Sequence, residues 1–339
     1  MRKRMIDIRK IAIAGLVLSI SFSAFSGCAL KSDTPIVGKL VGLKSDEMFK
    51  IDKLLCSKAE YMLVMMNTAN RYKSDFGGNI DWSANVNKDL TMTDFVKDKV
   101  KEDITMKYAL SAMAEKNGVS LTNKEKAEIQ TKASDYYKAL TDGEKKYTGA
   151  EEKDVVNLYT NYMLADKVYS KITENIGNDI SEEDARVIKI QYIRMNTESK
   201  KAAKIKSTLK DVKSIVEGGY QEFAREAKQY SLDDTIERVM KKSEAASKYE
   251  LEAFKVSKGK ISNIIEDGNN YYLIYCIDNY MKDETAKNKQ ELMDKEKEQY
   301  FNKEYTAFLN NIETDFNEKE EKKIKIEDSD DMSSIVVFD

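Results

Sequence analysis

The sequence contains no histidine among its 339 residues. This absence excludes Ser-His-Asp and Cys-His catalytic triads, histidine zinc sites and an imidazole base working near neutral pH. A single proline, Pro35, excludes a proline-rich ligand segment. The three cysteines, Cys28, Cys56 and Cys276, are too few and too scattered for a disulfide framework or a thiolate metal site. We therefore expect neither a metal nor a cofactor, and we interpret Cys56 and Cys276 as small buried apolar residues.

The chain also has no large excess of positive or negative charge. Charged residues make up 34% of the chain, yet the formal net charge is only −3. Such a balance provides no strong field for nucleic acid, so no nucleic-acid partner is expected. A hydrophobic content of 41% is typical of globular chains, and the length is sufficient for two domains.

The N-terminus has the pattern of an export signal. Basic residues precede an apolar run, Ile11–Phe25, which is short for a membrane span. The run ends at Phe25-Ser26-Gly27-Cys28, which resembles the bacterial lipobox with Phe25 in place of the usual leucine. The resemblance implies that residues 1–27 are removed and that Cys28 is acylated, for example with palmitate, which would anchor the protein outside the cytoplasm at the outer face of the cell membrane. An uncleaved membrane anchor and ordinary secretion are the alternatives.

Helical patterns dominate residues 45–182, after a polar tether at 28–44 and a short strand predicted at Met48–Ile51. The predicted helices are Ser57 to about Ser74, Met92–Lys116, Thr122 to about Leu140, and Thr148 to about Ile176; all but Met92–Lys116 open on a Ser/Thr-x-x-Glu capping box. The pattern predicts a helical domain. The methionines at 62, 65 and 66 indicate either core packing or an adaptable surface for a client polypeptide.

The C-terminal part is predicted to be a polar helix, Asp283–Asn317, with one apolar stripe that must be buried. The residues at 318–339 form a charged tail. Within it, Lys323–Glu327 alternates as a strand would, which predicts either a strand pairing with Val41–Ile51 or a frayed acidic tail.

Residues 183–282 follow a recognisable order. A candidate strand, Val187–Met195, precedes the spaced residues Gly219, Phe223, Ala227, Ser231 and Asp233; Ala253–Phe254, Lys258-Gly259-Lys260-Ile261-Ser262 and a last strand, Asn270–Ile277, follow. This order resembles a parvulin-type (PpiC-like) peptidyl-prolyl isomerase domain. The resemblance implies a small antiparallel sheet with helices, in which the last strand pairs with the first.

The turn within Ala109–Ala139 resembles the N-terminal helical domain of SurA-like periplasmic chaperones and PrsA-like foldase lipoproteins. The resemblance implies an α+β fold: a mainly helical chaperone module, onto which residues 283–317 fold back, with the parvulin-like domain inserted. It also implies that the partners are unfolded or partly folded exported polypeptides. The sequence leaves the oligomeric state open.

Parvulins isomerise prolyl bonds with two sheet histidines, a Cys or Asp, a Ser or Thr, and a Met/Leu-Phe pocket for proline. These positions fall here on Tyr192 and Tyr272, on Asp233 or Asp234, near Asn269, and near Tyr249, with no clear counterpart of the methionine around Ala245. Because both histidine positions are tyrosine, isomerase activity stays open. We therefore predict a lipid-anchored foldase or chaperone with a degenerate parvulin-like domain; an active isomerase at Asp233, Tyr192, Tyr272 and Tyr249, and a scaffold or solute-binding lipoprotein, are the alternatives.

Overall fold

The structure, a computed structural model, describes residues 42–326 apart from 77–79, 89, 199, 217–218 and 243–245. The predictions for the export signal, Cys28, most of the tether and the tail from residue 327 lie outside the described residues. The described chain divides into two compact units. The first unit comprises the described residues up to Ile172 and those from Lys303 onward, and the second unit comprises Thr173–Asn302.

The helices are α1 (Lys58–Asp75), α2 (Met92–Ala112), α3 (Asn123–Ala139), α4 (Asp142–Thr148), α5 (Glu152–Thr173), α6 (Ala202–Ile215), α7 (Tyr220–Tyr230), α8 (Lys248–Ala253), α9 (Lys282–Leu309) and α10 (Glu318–Glu321). The strands are β1 (Glu47–Ile51), β2 (Leu54–Ser57), β3 (Val187–Asn196), β4 (Glu237–Lys241), β5 (Ile265–Asp267), β6 (Asn270–Asp278) and β7 (Thr314–Phe316). Helices and small antiparallel sheets together make the α+β fold that was expected.

Capping boxes position two of the predicted helices of the first unit. Ser57 and Glu60 form the box of α1, and Thr122 and Glu125 form that of α3, as predicted. The predicted box at Thr148 is wrong, because Thr148 ends α4, a seven-residue helix that the sequence analysis missed. Thr141 and Glu144 cap this helix, and Gly149 ends it with a φ of 65°, the left-handed conformation that glycine adopts readily.

The core of the first unit is built on the stripe predicted for α2. Val96, Val100, Ile104 and Tyr108 are all almost completely buried. The methionines of α1 at 62, 65 and 66 lie in the same core, so the structure supports core packing rather than a client surface for them. Part of α9 contributes as well, because Tyr305, Phe308 and Leu309 pack against this cluster.

The C-terminal segment of the first unit differs from the prediction. The helix predicted to reach Asn317 ends at Leu309, and residues 314–316 form β7, which pairs with β1 in a sheet ordered β2-β1-β7. The predicted strand at 323–327 is wrong over its described residues, 323–326, which form no strand. Burial is the physical reason, since Ile324 inserts into the core after the short helix α10 instead of pairing with β1.

The second unit is built around a four-stranded antiparallel sheet in the order β4-β3-β6-β5. The last strand, β6, pairs with the first, β3, as the parvulin resemblance implies. One sheet face packs against α6 and α7, with Ile193 and Leu273 in that cluster. The other face packs against α8, with Ile190 and Ile274 in a separate cluster.

This unit is wider on both sides than the predicted range 183–282. The start of α9 contributes directly to the sheet, because the Thr285 hydroxyl accepts a hydrogen bond from the amide of Val187 at 3.0 Å. The Asn288 side chain also donates to the Ala185 carbonyl at 2.8 Å. These buried contacts explain why residues after 282 fold with the sheet.

Candidate functional site

The face of the sheet that packs against α8 brings together the four predicted site residues. Tyr192 on β3 lies opposite Ile274 on β6, and two residues further along β3, Arg194 lies opposite Tyr272. Because side chains two residues apart point to the same face of a strand, Tyr192 and Arg194 share this face with Tyr272. Tyr249 from α8 covers it, with its ring stacked on that of Tyr272 at a centroid distance of 4.2 Å and an interplanar angle of 9°.

Asp233 is held by Arg194 in a two-point ion pair. Arg194 Nε donates to Asp233 Oδ2 at 2.9 Å, and Arg194 Nη2 donates to Asp233 Oδ1 at 2.5 Å. The third guanidinium nitrogen donates to Asn270 Oδ1 at 3.2 Å. The Arg194 guanidinium lowers the pKa of Asp233 below its usual range. The carboxylate therefore stays ionised at neutral pH, with both oxygens already accepting hydrogen bonds.

The loop after α7 fixes the position of that carboxylate. The Ser231 hydroxyl accepts hydrogen bonds from the amides of Arg194 at 3.2 Å and Asp233 at 3.4 Å. The amide of Leu232 donates to the Arg194 carbonyl at 2.8 Å. These contacts attach the loop to β3. The backbone of Asp233 is therefore held beside the strand that carries its partner, Arg194.

The three tyrosines remain protonated at neutral pH. Burial raises the pKa of Tyr192, and the nearby Asp233 carboxylate raises it further. Burial also raises the pKa of Tyr272, and it raises the pKa of Tyr249 to about 12. Because a general base must be deprotonated at the working pH, these phenols are unsuited to that role, but they can donate and accept hydrogen bonds.

Tyr249, the residue that the parvulin resemblance places near a proline pocket, is packed closely against its neighbours. Tyr249 is 8% exposed, and Tyr272 covers one face of its ring. Arg238 donates a hydrogen bond to the Tyr249 hydroxyl and forms an ion pair with Glu250 at 3.3 Å. Aromatic rings in contact at this separation leave no space for a proline ring between them. The Asp233 carboxylate and the Tyr249 hydroxyl therefore have partners within the protein.

Solved structures of foldases and chaperones resemble this chain. A PrsA peptidyl-prolyl isomerase from Bacillus cereus is 18% identical, over 75% of this chain and 97% of that one, with a TM-score of 0.33. The foldase PrsA from Streptococcus pneumoniae is 16% identical, over 74% of this chain and 96% of that one, with a TM-score of 0.25. A SurA-like chaperone structure from Campylobacter jejuni is 11% identical, over 80% and 98%, with a TM-score of 0.28. The chain is similar to PrsA and SurA-like proteins. No protein-family model matches it, and no curated protein does.

Other positions carried over from parvulins lie away from this face or outside the described residues. Asn269 is exposed in the turn between β5 and β6, where its carbonyl accepts from the Thr197 amide at 3.0 Å. Asp234 is exposed, whereas Asp233 contacts Arg194. The segment around Ala245 lies outside the described residues.

Arg194 is the residue that the sequence analysis missed. Strand alternation could have found it, because it lies two residues after Tyr192 and therefore on the same face. The comparison with parvulin positions did not draw attention to it, since those positions concern Tyr192 and Tyr272. Asn270, rather than the expected Asn269, is the amide that contacts this cluster.

The described part of the chain contains no group of three metal-ligating side chains able to hold an ion. Among the same residues, every helix is too short or too polar to cross a membrane.

Proposed function

We propose that this protein is a lipid-anchored foldase or chaperone that assists the folding of exported polypeptides outside the cytoplasm. The acylated Cys28 holds it at the outer face of the cell membrane. The helical first unit holds the unfolded client, and the parvulin-like second unit, Thr173–Asn302, retains its fold but not its isomerase activity. The similarity of the sequence to the lipobox, and the strand order of the second unit, support this proposal.

The loss of isomerase activity rests on one observation, the stacking of Tyr249 on Tyr272. Prolyl isomerisation has a barrier of about 20 kcal/mol and needs no covalent chemistry. A catalyst must instead bind the proline ring and favour the twisted amide. In this proposal the stacked rings take the place of a proline pocket, and the Asp233 carboxylate is already paired with Arg194.

A proline-limited peptide assay tests this part of the proposal. We expect the full chain to give no rate above the uncatalysed one, and an Asp233→Asn variant to behave identically. A parvulin with its histidines intact serves as the positive control. A rate enhancement by the full chain that disappears in Asp233→Asn would show that the enzyme alternative is correct.

An active isomerase is the second candidate because Tyr192 and Asp233 are neighbours. Burial, and after it the neighbouring Asp233 carboxylate, raise the pKa of the half-buried Tyr192 phenol. A phenol held in this way could donate a hydrogen bond to a twisted amide. The same assay with Tyr192→Phe separates the candidates, since an isomerase of this kind would lose rate when the hydroxyl is removed.

The chaperone activity is tested with an unfolded client. Exposed apolar side chains give the second unit surface that could contact such a client: Ile215, Leu232, Val239 and Leu251. We expect the full chain to slow the aggregation of a chemically unfolded protein at equimolar ratio. If the chain neither slows aggregation nor binds the client, the proposed function is wrong.

The lipid anchor is tested at Cys28. Mass spectrometry of the protein purified from its membrane should find an acylated cysteine as the first residue. A Cys28→Ala variant should stay unprocessed or leave the membrane fraction. An intact Met1 start, or an unmodified Cys28 on the mature chain, would contradict the anchor and leave the chaperone proposal standing.

A further inference from the structure

At one edge of the sheet in the second unit, hydrogen bonding to β6 continues beyond the edge strand β5. Strand β5 is the edge strand beside β6. The segment before it continues along β6: the Gly259 amide donates to the Cys276 carbonyl at 2.8 Å, the Cys276 amide donates to the Lys260 carbonyl at 3.0 Å, and the Ser262 amide donates to the Ile274 carbonyl at 2.8 Å. This segment and β5 both line the edge of the sheet, but in registers that differ by one residue: Ile261 pairs with Tyr275, whereas Ile265 pairs with Tyr272. Gly259 begins the segment in a turn, with a φ of 73°.

The backbone N–H and C=O groups of Ile261 point outward from this edge. Ile261 pairs with Tyr275, and the two hydrogen bonds of the pair are made by its neighbours, Lys260 and Ser262. In antiparallel pairing, a residue between such bonds points its own N–H and C=O groups away from the partner strand. Within the described part of the chain, neither group of Ile261 has a hydrogen-bond partner. Unpaired edge groups of this kind are a template for a further strand.

A groove of about 500 Å³ lies beside this edge. Its walls are the edge segment on one side and α8 with the turn after it on the other. The apolar lining includes Val256, Ile261 and Ile264. An extended segment lying here could therefore bond to the Ile261 backbone and place alternate side chains against apolar surface.

The charges of the groove favour an acidic occupant. Its two glutamates are already paired, Glu252 with Lys255 at 2.6 Å and Glu266 with Lys206 at 2.9 Å. Two further lysines of the lining, Lys248 and Lys260, are exposed and have no carboxylate within ion-pair distance among the described residues. Lys206, and to a smaller extent Lys248, lower the pKa of Glu266. Carboxylates on an extended segment would meet the ammonium groups of Lys248 and Lys260.

We propose that this groove binds an extended, acidic segment of an unfolded client polypeptide, which adds to the edge of the sheet as a short strand beside Ile261. This inference rests on the proposed chaperone function and names where and how the client is held. Backbone hydrogen bonds at Ile261 give binding that tolerates many sequences, and Lys248 and Lys260 give the preference for acidic segments.

Three blocked peptides serve as probes with the full chain. The first alternates valine and aspartate over eight residues, the second replaces aspartate with lysine, and the third is the first with alternate backbone amides N-methylated. We expect the first to bind, to protect the Ile261 amide from hydrogen exchange, and to bind about tenfold more weakly at high salt. The lysine and N-methylated peptides should lose at least about tenfold in affinity.

Variants locate the binding in the groove. Ile261→Pro removes the outward donor at an edge position where proline is tolerated, and Ile261→Val is its matched control. The double variant Lys248→Glu with Lys260→Glu should weaken the acidic peptide by about tenfold or more and strengthen the lysine peptide. Lys210→Glu, on an exposed position of α6, should leave both affinities unchanged.

The outcomes separate this inference from the proposed function. If the chain slows client aggregation but the acidic peptide binds no better than its N-methylated form, the groove assignment is wrong and the chaperone proposal stands. The groove assignment would also be wrong if the peptide protected backbone amides near Tyr192 from hydrogen exchange and left the Ile261 amide unprotected. Binding that appears only after truncation following Ile326 would assign the groove to the chain's own C-terminal segment, and a concentration-dependent dimer blocked by Ile261→Pro would assign it to a second copy.

Discussion

The ion pair between Arg194 and Asp233 should stabilise the second unit rather than support catalysis. Charge-assisted hydrogen bonds contribute about 1.5–3 kcal/mol each, whereas fully exposed pairs contribute only about 0.2–1 kcal/mol. Here two hydrogen bonds join side chains that are 28% and 26% exposed. We therefore expect a coupling free energy of about 1.5 kcal/mol, and a loss of about 2 kcal/mol for Arg194→Gln or Asp233→Asn alone.

Hydrogen exchange is the suitable assay, because the chain's only tryptophan lies in the first unit. Trp82 fluorescence reports unfolding there and should not change in these variants. The amides of Ile190 and Ile193, on the central strand β3, report opening of the second unit. A loss of about 2 kcal/mol should lower their protection about 30-fold in each single variant. The double variant should lose less than the sum of the two.

The pH dependence of this effect has a definite sign. Arg194 lowers the pKa of Asp233 in the folded protein, so the ionised carboxylate favours folding. The stabilisation is complete above the unfolded carboxyl pKa, about 3.9, and is lost as the pH falls below that value toward the lowered folded pKa. The difference between the wild-type chain and Asp233→Asn should therefore shrink below about pH 4.

Two results would refute this reasoning. A coupling below about 0.5 kcal/mol would mean that the ion pair is screened as an exposed pair is. Alternatively, Asp233→Asn could leave exchange unchanged and abolish a measurable isomerase rate. The carboxylate would then be part of a working site, and the geometry around Arg194 would have been misinterpreted.

Three further substitutions test the packing. Phe316→Ala removes a ring stacked on Phe49 at 6.2 Å and should destabilise the first unit by about 3 kcal/mol, measured by Trp82 fluorescence in urea. Hydrogen bonds from the Tyr220 hydroxyl and, next in size, from Lys189 lower the Glu237 pKa to about 2. Glu237→Gln should therefore lower the melting temperature of the second unit at pH 7, and the difference from the wild-type chain should shrink as the pH falls from about 4.5 toward 2. Gly177→Ala, at a φ of 78°, should cost about 1–2 kcal/mol in the same melting experiment.

Local patterns predicted the long helices well and short elements poorly. The stripe of α2 and the boxes at Ser57 and Thr122 act within a few residues, so the sequence alone shows them. Helix α4 has only seven residues, one of them glycine, and is too short for a periodic signal. Strand β7 has three residues and exists because β1 lies beside it, which is a contact between segments more than 260 residues apart.

The candidate site shows the same division between local and non-local information. The resemblance to parvulins placed Tyr192 and Tyr272 on neighbouring strands, and strand alternation placed Arg194 on their face. No local pattern, however, could show that Arg194 reaches Asp233, which is 39 positions away in the sequence. The stacking of Tyr249 on Tyr272 likewise depends on how α8 packs against the sheet.

The tyrosines at the two predicted histidine positions, Tyr192 and Tyr272, are only one feature of this face. Two of its polar groups already have partners inside the protein: Arg194 holds Asp233, and Arg238 donates to the Tyr249 hydroxyl. A prolyl substrate would have to separate the stacked rings and break charge-assisted hydrogen bonds of about 1.5–3 kcal/mol each before it gained any contact. The outward N–H and C=O groups of Ile261 need no such separation, because they have no partner among the described residues. If the second unit binds clients, the edge of the sheet is the less costly place to do so.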